Sequence, residues 1–326
     1  MSLRPVGLGW LLAGLAVLGL LLGAALGSTG WEQLSLNDPL SWQIVWNIRV
    51  PRTLGAWLAG ALLGLAGAVA QGLFRNPLAD PYLLGSASGS SLGLALALWL
   101  ANVLPATGVV WRALGLTGAA FVGALAAVVL TLMLSRGVQH SLRLLLAGVV
   151  VGVVLGALSS LVMLLVPSVQ DTLQSYLLGS TALVSWLSCG LMLAVWLPMV
   201  VLSMSLGRVL DALALGENTA VSLGLPLAPL RAALVGVIAL CTATAVAQTG
   251  LVAFVGLAAP HVVRALLPGA HARLLWLASL MGGVLLLWAD LGARWLVAPL
   301  ELPVGVVTAV LGGGYLLRLM HQQTRY

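Results

Sequence analysis

The chain has 326 residues, of which 61% are hydrophobic and only 7% are charged, and its formal net charge is +6. An ordinary soluble domain carries roughly 25% charged residues, so this composition excludes a soluble globular protein. Every basic residue of the Lys and Arg group is an arginine. This excludes the lysine-containing phosphate loop of ATP-hydrolysing domains and any chemistry that needs a lysine Schiff base.

Apolar runs of about 20 residues, the length that crosses a bilayer as a helix, recur along the whole chain. They predict an all-α, polytopic membrane protein with about ten transmembrane spans, forming one domain over residues 1–326. The predicted spans are 6–26, 53–72, 83–104, 113–135, 142–166, 187–206, 229–248, 250–266, 273–292 and 303–320. The eighth is short and contains Pro260, so nine spans and a re-entrant segment are the alternative. We interpret the first as a retained span because its apolar core exceeds that of a signal peptide, with cleavage as the alternative.

The arginines define an orientation for these spans. Cytoplasmic loops carry an excess of basic residues, and a cytoplasmic N-terminus places ten arginines inside and four outside. The inside set is Arg4, Arg75, Arg136, Arg143, Arg208, Arg231, Arg264, Arg273, Arg318 and Arg325. The outside set is Arg49, Arg52, Arg112 and Arg294. The pattern therefore predicts that both termini are cytoplasmic.

A polar, helix-breaking segment, RNPLADPYLLGSASGSSLG, interrupts the apolar pattern at residues 75–93. It follows the sequence AVAQ at 68–71, and a second AVAQ occurs at 245–248, each with a later L-A-x-P. Ten spans place the two copies in helices of opposite orientation, which predicts an inverted repeat of spans 2–5 and 7–10. Chance similarity between alanine-rich helices is the alternative. In transporters, corresponding interrupted segments mark the transport pathway.

The sequence offers no catalytic, metal or cofactor site. Cys189 and Cys241 lie in apolar runs at no metal-ligand spacing, and His261 has no further ligand close in sequence. No serine–histidine–acid set or pair of carboxylates is present at a useful spacing. No basic stripe with interleaved aromatic residues indicates nucleic-acid binding. The chain is therefore expected to be a non-enzymatic membrane component that contacts lipid.

Several ordered motifs resemble the FecCD-type permeases, the membrane subunits of type II ABC importers for ferric siderophores, haem and cobalamin. They are RVPRTLGAWLAGALLGLAGAVAQGLFRNPLADPYLLG (49–85), LALGENTAVSLGLPL (213–227), GLVAFVGLAAPHVVR (250–264) and ELPVGVVTAVLGG (301–313). The resemblance covers nearly the whole chain. It implies a homodimer of ten-helix subunits in the bacterial inner membrane, with two cytoplasmic ABC ATPases and a periplasmic substrate-binding protein.

The resemblance also implies roles for particular residues. It places Arg49, Arg52 and Arg294 where the family meets acidic residues of the binding protein; a role as helix-end anchors is the alternative. It places the cytoplasmic gate at Asn76 and Leu78 and at Ser141 and Leu142. Cobalamin permeases carry a hydroxyl pair at this second location, whereas the second position here is Leu142.

Two further segments acquire roles in the same way. The loop 208–228 matches the family's coupling helices, which seat on the ATPase, and the contact residues are expected to be Leu215, Gly216, Glu217 and Asn218. The fifth span repeats a small residue every fourth position at Gly148, Gly152 and Gly156, a pattern that lets helices pack closely. In the family this helix also lines the pathway at the dimer interface.

The resemblance predicts import of an iron chelate, with haem favoured and a ferric siderophore next. A cobalamin importer is the alternative. An ion-coupled secondary transporter is a remoter alternative, which predicts an acidic or basic residue inside a span as the coupling site.

Overall fold

A computed structural model describes residues 5–27, 30–31, 39–103, 109–135 and 141–323. Within them the helices are α1 Pro5–Ala25, α2 Pro39–Ile44, α3 Val50–Phe74, α4 Ser86–Val103, α5 Val109–Leu134, α6 Ser141–Leu165, α7 Gln170–Leu178, α8 Trp186–Ser205, α9 Gly207–Ala214, α10 Glu217–Ser222, α11 Leu227–Thr249, α12 Val255–Leu266, α13 His271–Trp295 and α14 Val304–Gln323. A π-helical turn, Val45–Arg49, precedes α3, and 3-10 turns span Pro81–Leu84 and Pro167–Val169. Leu26–Gly27 and Gly30–Trp31 form a two-residue antiparallel pairing.

The all-α fold is confirmed, and each of the ten predicted spans falls on one of these helices. Seven helices in the described part of the chain are long and apolar enough to cross a membrane. Of the other three, α12 has only 12 residues and α4 begins with a serine-rich turn. The number of complete crossings therefore stays a prediction.

The long helix α3 lies at the centre of the bundle and is buried on nearly all sides. Its sequence is apolar all round, as expected of a helix without a solvent face. It packs most closely on α13, where Gly60 and Gly64 face Gly282, and a Cβ on Gly282 would lie 2.3 Å from the carbonyl oxygen of Gly60. Such small residues let the two helix backbones approach closely, which is a main source of helix association in a membrane.

The helix contacts follow the order that the inverted repeat predicts. That repeat pairs α3, α4, α5 and α6 with α11, α12, α13 and α14. Helix α3 packs on α13, and its counterpart α11 packs on α5, the counterpart of α13. Likewise α4 packs on α5 and α12 packs on α13. The two halves therefore interlock, with each central helix held against the other half.

Both central helices end in irregular backbone at corresponding positions, after the two AVAQ sequences. Arg75 ends α3 in the left-handed region, with φ of 51°, and Gly250 ends α11 with φ of 67°. The two segments meet inside the bundle, where the hydroxyl of Tyr82 donates to the carbonyl of Val252 at 3.3 Å. Irregular backbone is tolerated at membrane depth only where protein or water satisfies its polar groups, and here the Tyr82 side chain satisfies one carbonyl of the second segment.

Two ends of the bundle matter for function. We call the end that contains Glu217 and His271 the Glu217 side, and the end that contains Arg52 and Arg294 the Arg294 side. His271 and Arg294 lie at opposite ends of α13, so the two sides are a full helix length apart. On the flank between them, α6 exposes many apolar side chains, among them Val150, Val153 and Leu164.

Candidate functional site

Charged side chains form a compact cluster on the Arg294 side, which we call the Arg294 cluster: Arg52, Asp290, Arg294 and Glu301. Arg294 pairs with Asp290 one helical turn earlier on α13, and Thr181 donates its hydroxyl to the same carboxylate. Arg52 of α3 donates to both carboxylate oxygens of Glu301 at 2.9 Å and lies 3.6 Å from Asp290. The cluster thus joins α3, α13 and the segment before α14.

Burial explains why these charges are paired. Asp290 is fully buried and Arg294 is 2% exposed, and a buried charge is tolerated only with partners. Arg294 also donates to the hydroxyl of Thr53 at 3.3 Å. Arg49 is buried as well, and it donates to the carbonyl of Ala25 at 3.2 Å. The four-residue spacing of Asp290 and Arg294 is a signal in the sequence for such a pair.

These contacts change the interpretation of the three arginines expected to dock a binding protein. Two of them, Arg49 and Arg294, face the interior of the subunit and hold its helices together. Only the side chain of Arg52, which is 11% exposed, lies next to a partly exposed carboxylate, Glu301. Docking itself involves a partner and stays a prediction.

The expected gate residues lie on the Glu217 side or next to it. In the segment after α3, the Asn76 side chain accepts a hydrogen bond from the backbone N–H of Leu78 at 2.9 Å, which stabilises the turn. Leu78 and Leu142 are both exposed, Leu142 by 70%. Ser141 begins α6, and its side chain lies outside the described residues.

An open groove of about 550 Å³ runs between α5 and α6 close to Leu142. Its lining is Leu134, Ser135, Arg143, Leu146, Ala147 and Val150. The groove is mainly apolar, with one guanidinium at its rim.

The glycine row on α6 faces its own subunit. A Cβ on Gly148 would lie 2.0 Å from the carbonyl oxygen of Leu83, so this position is in close contact with the Pro81–Leu84 turn. Gly152 and Gly156 face Ser88 of α4 at ordinary contact distance. The row therefore packs α6 on the irregular segment and α4, and the exposed apolar residues of α6 lie on its other faces. A role at the dimer interface stays a prediction.

The two short helices α9 and α10 carry the expected coupling residues on the Glu217 side. Gly216, with φ of 116°, makes the turn between them. Leu215 is 72% exposed, and Val221 and Leu223 are exposed beside it. Asn218 is exposed on α10. Three large exposed apolar side chains on one short segment outside the long helices are typical of a surface that contacts another protein or the membrane.

The carboxylate of Glu217, by contrast, is already bound within the chain. It pairs with Arg231 of α11 at 2.6 Å and lies 3.5 Å from the guanidinium of Arg75. The sequence predicts a contact between Glu217 and the ATPase. It carries no signal for the partners Arg75 and Arg231, because they are distant along the chain. A contact with the ATPase stays a prediction.

A second link joins the coupling segment to α13. Asp211 of α9 accepts hydrogen bonds from the backbone N–H of His271 at 3.0 Å and from its Nδ1 at 2.7 Å. Partial burial raises the pKa of Asp211, but the hydrogen bonds and charge of His271 outweigh it, so the pKa lies below its ordinary value. The carboxylate therefore remains charged at neutral pH and holds the start of α13.

Comparison with known proteins identifies the family. The family model described as the FecCD transport family matches residues 11–322. The chain belongs to this family. It is thus a permease subunit of the type II ABC importers and, as such, a non-catalytic part of a transporter. A family of this kind implies ATPase and substrate-binding partners.

The relatives of this FecCD permease are named for different substrates. It is 38% identical over 329 residues to the hemin transport system permease protein HmuU of Yersinia pestis, covering 97% of this chain and 95% of the relative. It is 40% identical over 322 residues to the vitamin B12 import system permease protein BtuC of Shigella boydii, covering 97% and 96%. The two identities are nearly equal, so identity alone does not choose between the cargoes.

A solved structure supports the fold of the FecCD permease along its whole length. It is an ABC transporter assigned to the metal-chelate type in an inward-facing conformation, with a TM-score of 0.87 and 29% identity. The match covers 98% of this chain and 100% of the other. The remoter alternative, a secondary transporter with a coupling charge inside a span, loses its support. Within the part of the chain that the structure describes, the acidic residue Asp290 of α13 is paired with Arg294.

Proposed function

We propose that this permease imports a metal chelate, with haem favoured, from the periplasm to the cytoplasm of a bacterium. It works as a homodimer in the inner membrane with two ABC ATPases and a periplasmic binding protein. The observation that carries the proposal is the whole-chain likeness to a metal-chelate type transporter. The relative named for hemin transport supports haem within that class, and a ferric siderophore is the next cargo to test.

The Glu217 side is proposed to face the cytoplasm, with both termini there. The exposed Leu215, Val221 and Leu223 support this orientation because they form the apolar contact that an ATPase groove needs. Gly216 and Asn218 lie in the same contact segment, at the turn and on the exposed face of α10. The excess of arginines predicted on this side agrees with the positive-inside rule.

The pathway is proposed to run between two copies of the chain, along α6. The exposed apolar residues of α6 and the groove beside Leu142 support this, since a large cargo slides along an apolar wall without being held. Asn76 and Leu78 on one segment, and Ser141 and Leu142 on the other, close the cytoplasmic end. Gly148, Gly152 and Gly156 hold α6 at the correct distance from α4.

The binding protein is proposed to dock on the Arg294 side. Arg52 is the arginine that an acidic partner reaches, because its guanidinium lies at the edge of the cluster, where its Nη1 donates to both oxygens of the Glu301 carboxylate. Arg49 and Arg294 act behind it by fixing the ends of α3 and α13. Cobalamin import is the second candidate function, and the relative named for vitamin B12 import supports it.

Reconstitution tests the function and the cargo together. The chain is placed in liposomes with its partner ATPase and binding protein, and ATP hydrolysis and uptake are measured with haem, a ferric siderophore and cobalamin. A complex with a hydrolysis-deficient ATPase is the matched control. We expect haem alone to stimulate hydrolysis and to enter the liposomes.

Each outcome has a distinct meaning. Stimulation by cobalamin alone would replace the proposed cargo and leave the importer intact. Association of an ATPase without uptake of any of the three would refute the whole list of cargoes. Failure of any ATPase to bind the chain would refute the proposed assembly.

A further inference from the structure

Glu217 occupies a position that joins three separate parts of the chain. It begins α10 in the coupling segment, pairs with Arg231 near the start of α11, and reaches Arg75 at the end of α3. Arg231 is buried, with 4% of its side chain exposed, whereas Arg75 is 44% exposed. The first pair therefore joins Glu217 to the start of α11, and the second joins it to the end of α3, next to the gate segment.

The backbone of Arg75 indicates that its side chain is needed. Arg75 adopts φ of 51° and ψ of 38°, and its N–H bonds to the carbonyls of Gln71 and Gly72 as a helix cap. Helices usually place glycine at this left-handed position, because a Cβ is strained there. Here the chain has an arginine, and its guanidinium faces Glu217. A residue kept in an unfavourable conformation is a reason to look for a function in its side chain.

Packing joins the same two segments at a second point. Gly72, in the last turn of α3, faces the side chain of Leu210 from α9, where a Cβ would lie 3.1 Å from Leu210 Cδ2. The end of α3 therefore contacts both coupling helices, through Leu210 of α9 and through Glu217 of α10. Segment 75–80 follows this end without any helix between, so movement of the coupling helices reaches it directly.

We propose that Arg75 and Glu217 are positioning residues of the transport cycle, which couple the movement of α9 and α10 to the gate segment around Asn76 and Leu78. When the ATPase displaces the coupling helices, the ion pair moves the end of α3 with them. This inference rests on the proposed function, since it requires an ATPase that contacts α9 and α10. It assigns to Glu217 an internal partner in addition to the expected external one.

The test follows the accessibility of the gate in the assembled complex with the ATPase. Leu78→Cys introduces a thiol at an exposed position of the gate segment, and a membrane-impermeant maleimide reports its accessibility with and without ATP. The native Cys189 and Cys241 are both buried, so they contribute little labelling. The readout needs no identified cargo.

Four variants are compared in the Leu78→Cys background. Arg75→Gly removes the guanidinium and relieves the strain, whereas Arg75→Ala removes the guanidinium and keeps the strain. Arg75→Lys keeps the charge, and Arg273→Ala removes an exposed arginine from the start of α13 on the same side.

We expect the ATP-dependent change in labelling rate to fall roughly twofold to fivefold in the Arg75→Gly and Arg75→Ala variants, the range of an exposed ion pair. The Lys and Arg273→Ala variants should keep it.

Thermal unfolding separates this role from a merely structural one. Arg75→Gly should melt no lower than the parent protein and Arg75→Ala no higher than Arg75→Gly, although the ATP response is reduced in both. If the Gly and Ala variants respond to ATP like the parent, the coupling role is refuted and the importer stands. If the ATP-dependent change in labelling falls only in variants that melt at a lower temperature, whether or not they lack the guanidinium, the coupling role is also refuted. If neither the Leu78→Cys parent nor a second parent with the thiol at the exposed neighbour, Pro77→Cys, shows an ATP response, the proposed function fails, and this inference fails with it.

Discussion

The contact between α3 and α13 gives the sharpest stability prediction. In the change Gly282→Ala, the new Cβ would lie 2.3 Å from the carbonyl oxygen of Gly60 and 2.9 Å from Cα of Gly64. Ordinary carbon–oxygen contacts are about 3.3 Å or longer, so the two helices must separate by about 1 Å. Backbone atoms of a buried helix cannot rotate out of the way as a side chain can.

The expected change in the free energy of unfolding is the difference between two opposing effects. Overpacking a core costs about 1–3 kcal/mol, and replacing a helical glycine by alanine returns about 0.5–1 kcal/mol. We therefore expect Gly282→Ala to lower the free energy of unfolding by about 1–2 kcal/mol. The matched control is Gly236→Ala in α11, a glycine around which no atom lies within 4 Å of the added Cβ. This control should gain about 0.5–1 kcal/mol.

Thermal unfolding of the two purified variants in the same detergent measures the difference in their stability. Each kcal/mol shifts the melting temperature of a larger domain by roughly 2–4 °C, so the two variants should differ clearly. A Gly282→Ala protein that melts at or above the Gly236→Ala protein would refute the close contact of α3 with α13.

Three further changes test the charged groups. Arg294→Ala leaves the buried Asp290 without its main partner, so a loss of about 3–5 kcal/mol in unfolding free energy is expected by chemical or thermal denaturation. Glu301→Gln removes the carboxylate that pairs with Arg52, and the binding protein should bind roughly twofold to fivefold tighter at low salt in a pull-down; unchanged affinity would argue against docking on Arg52. Asp211 has a lowered pKa, so its stabilisation is present above its ordinary value of 3.8 and is lost as the pH falls through the lowered value. The difference in melting temperature between wild type and Asp211→Ala should therefore shrink in acid, as the pH falls through the lowered pKa of Asp211.

Much of the fold could be predicted from the sequence because the signals are local. Apolar runs of membrane length define the helices, and the prolines and Gly85 of the segment after α3 mark where it is interrupted. The paired AVAQ sequences predicted the correspondence of α3 and α11, and the pattern of helix packing agrees with it.

The charge pairs were harder to predict because most of them join distant residues. Arg75 and Glu217 are 142 positions apart, and Arg52 and Glu301 are 249 apart. Neither spacing carries a periodic signal. The count of arginines on each side of the membrane predicts the side on which an arginine lies but not whether its side chain is exposed. Arg49 and Arg294 were therefore expected at the surface, whereas both are buried.

Helix α13 is held by carboxylates at both ends, by Asp211 at its start and by the Arg294 cluster near its end. A helix of 25 residues is about 37 Å long, and its length is nearly fixed by its own hydrogen bonds. If one end acts as a pivot, a tilt of about 3° displaces the other end by about 2 Å, as large as the helix shifts in many allosteric transitions. On this geometry, a small change in the tilt of α13 at one end corresponds to a displacement at its other end that is large enough to break a hydrogen bond.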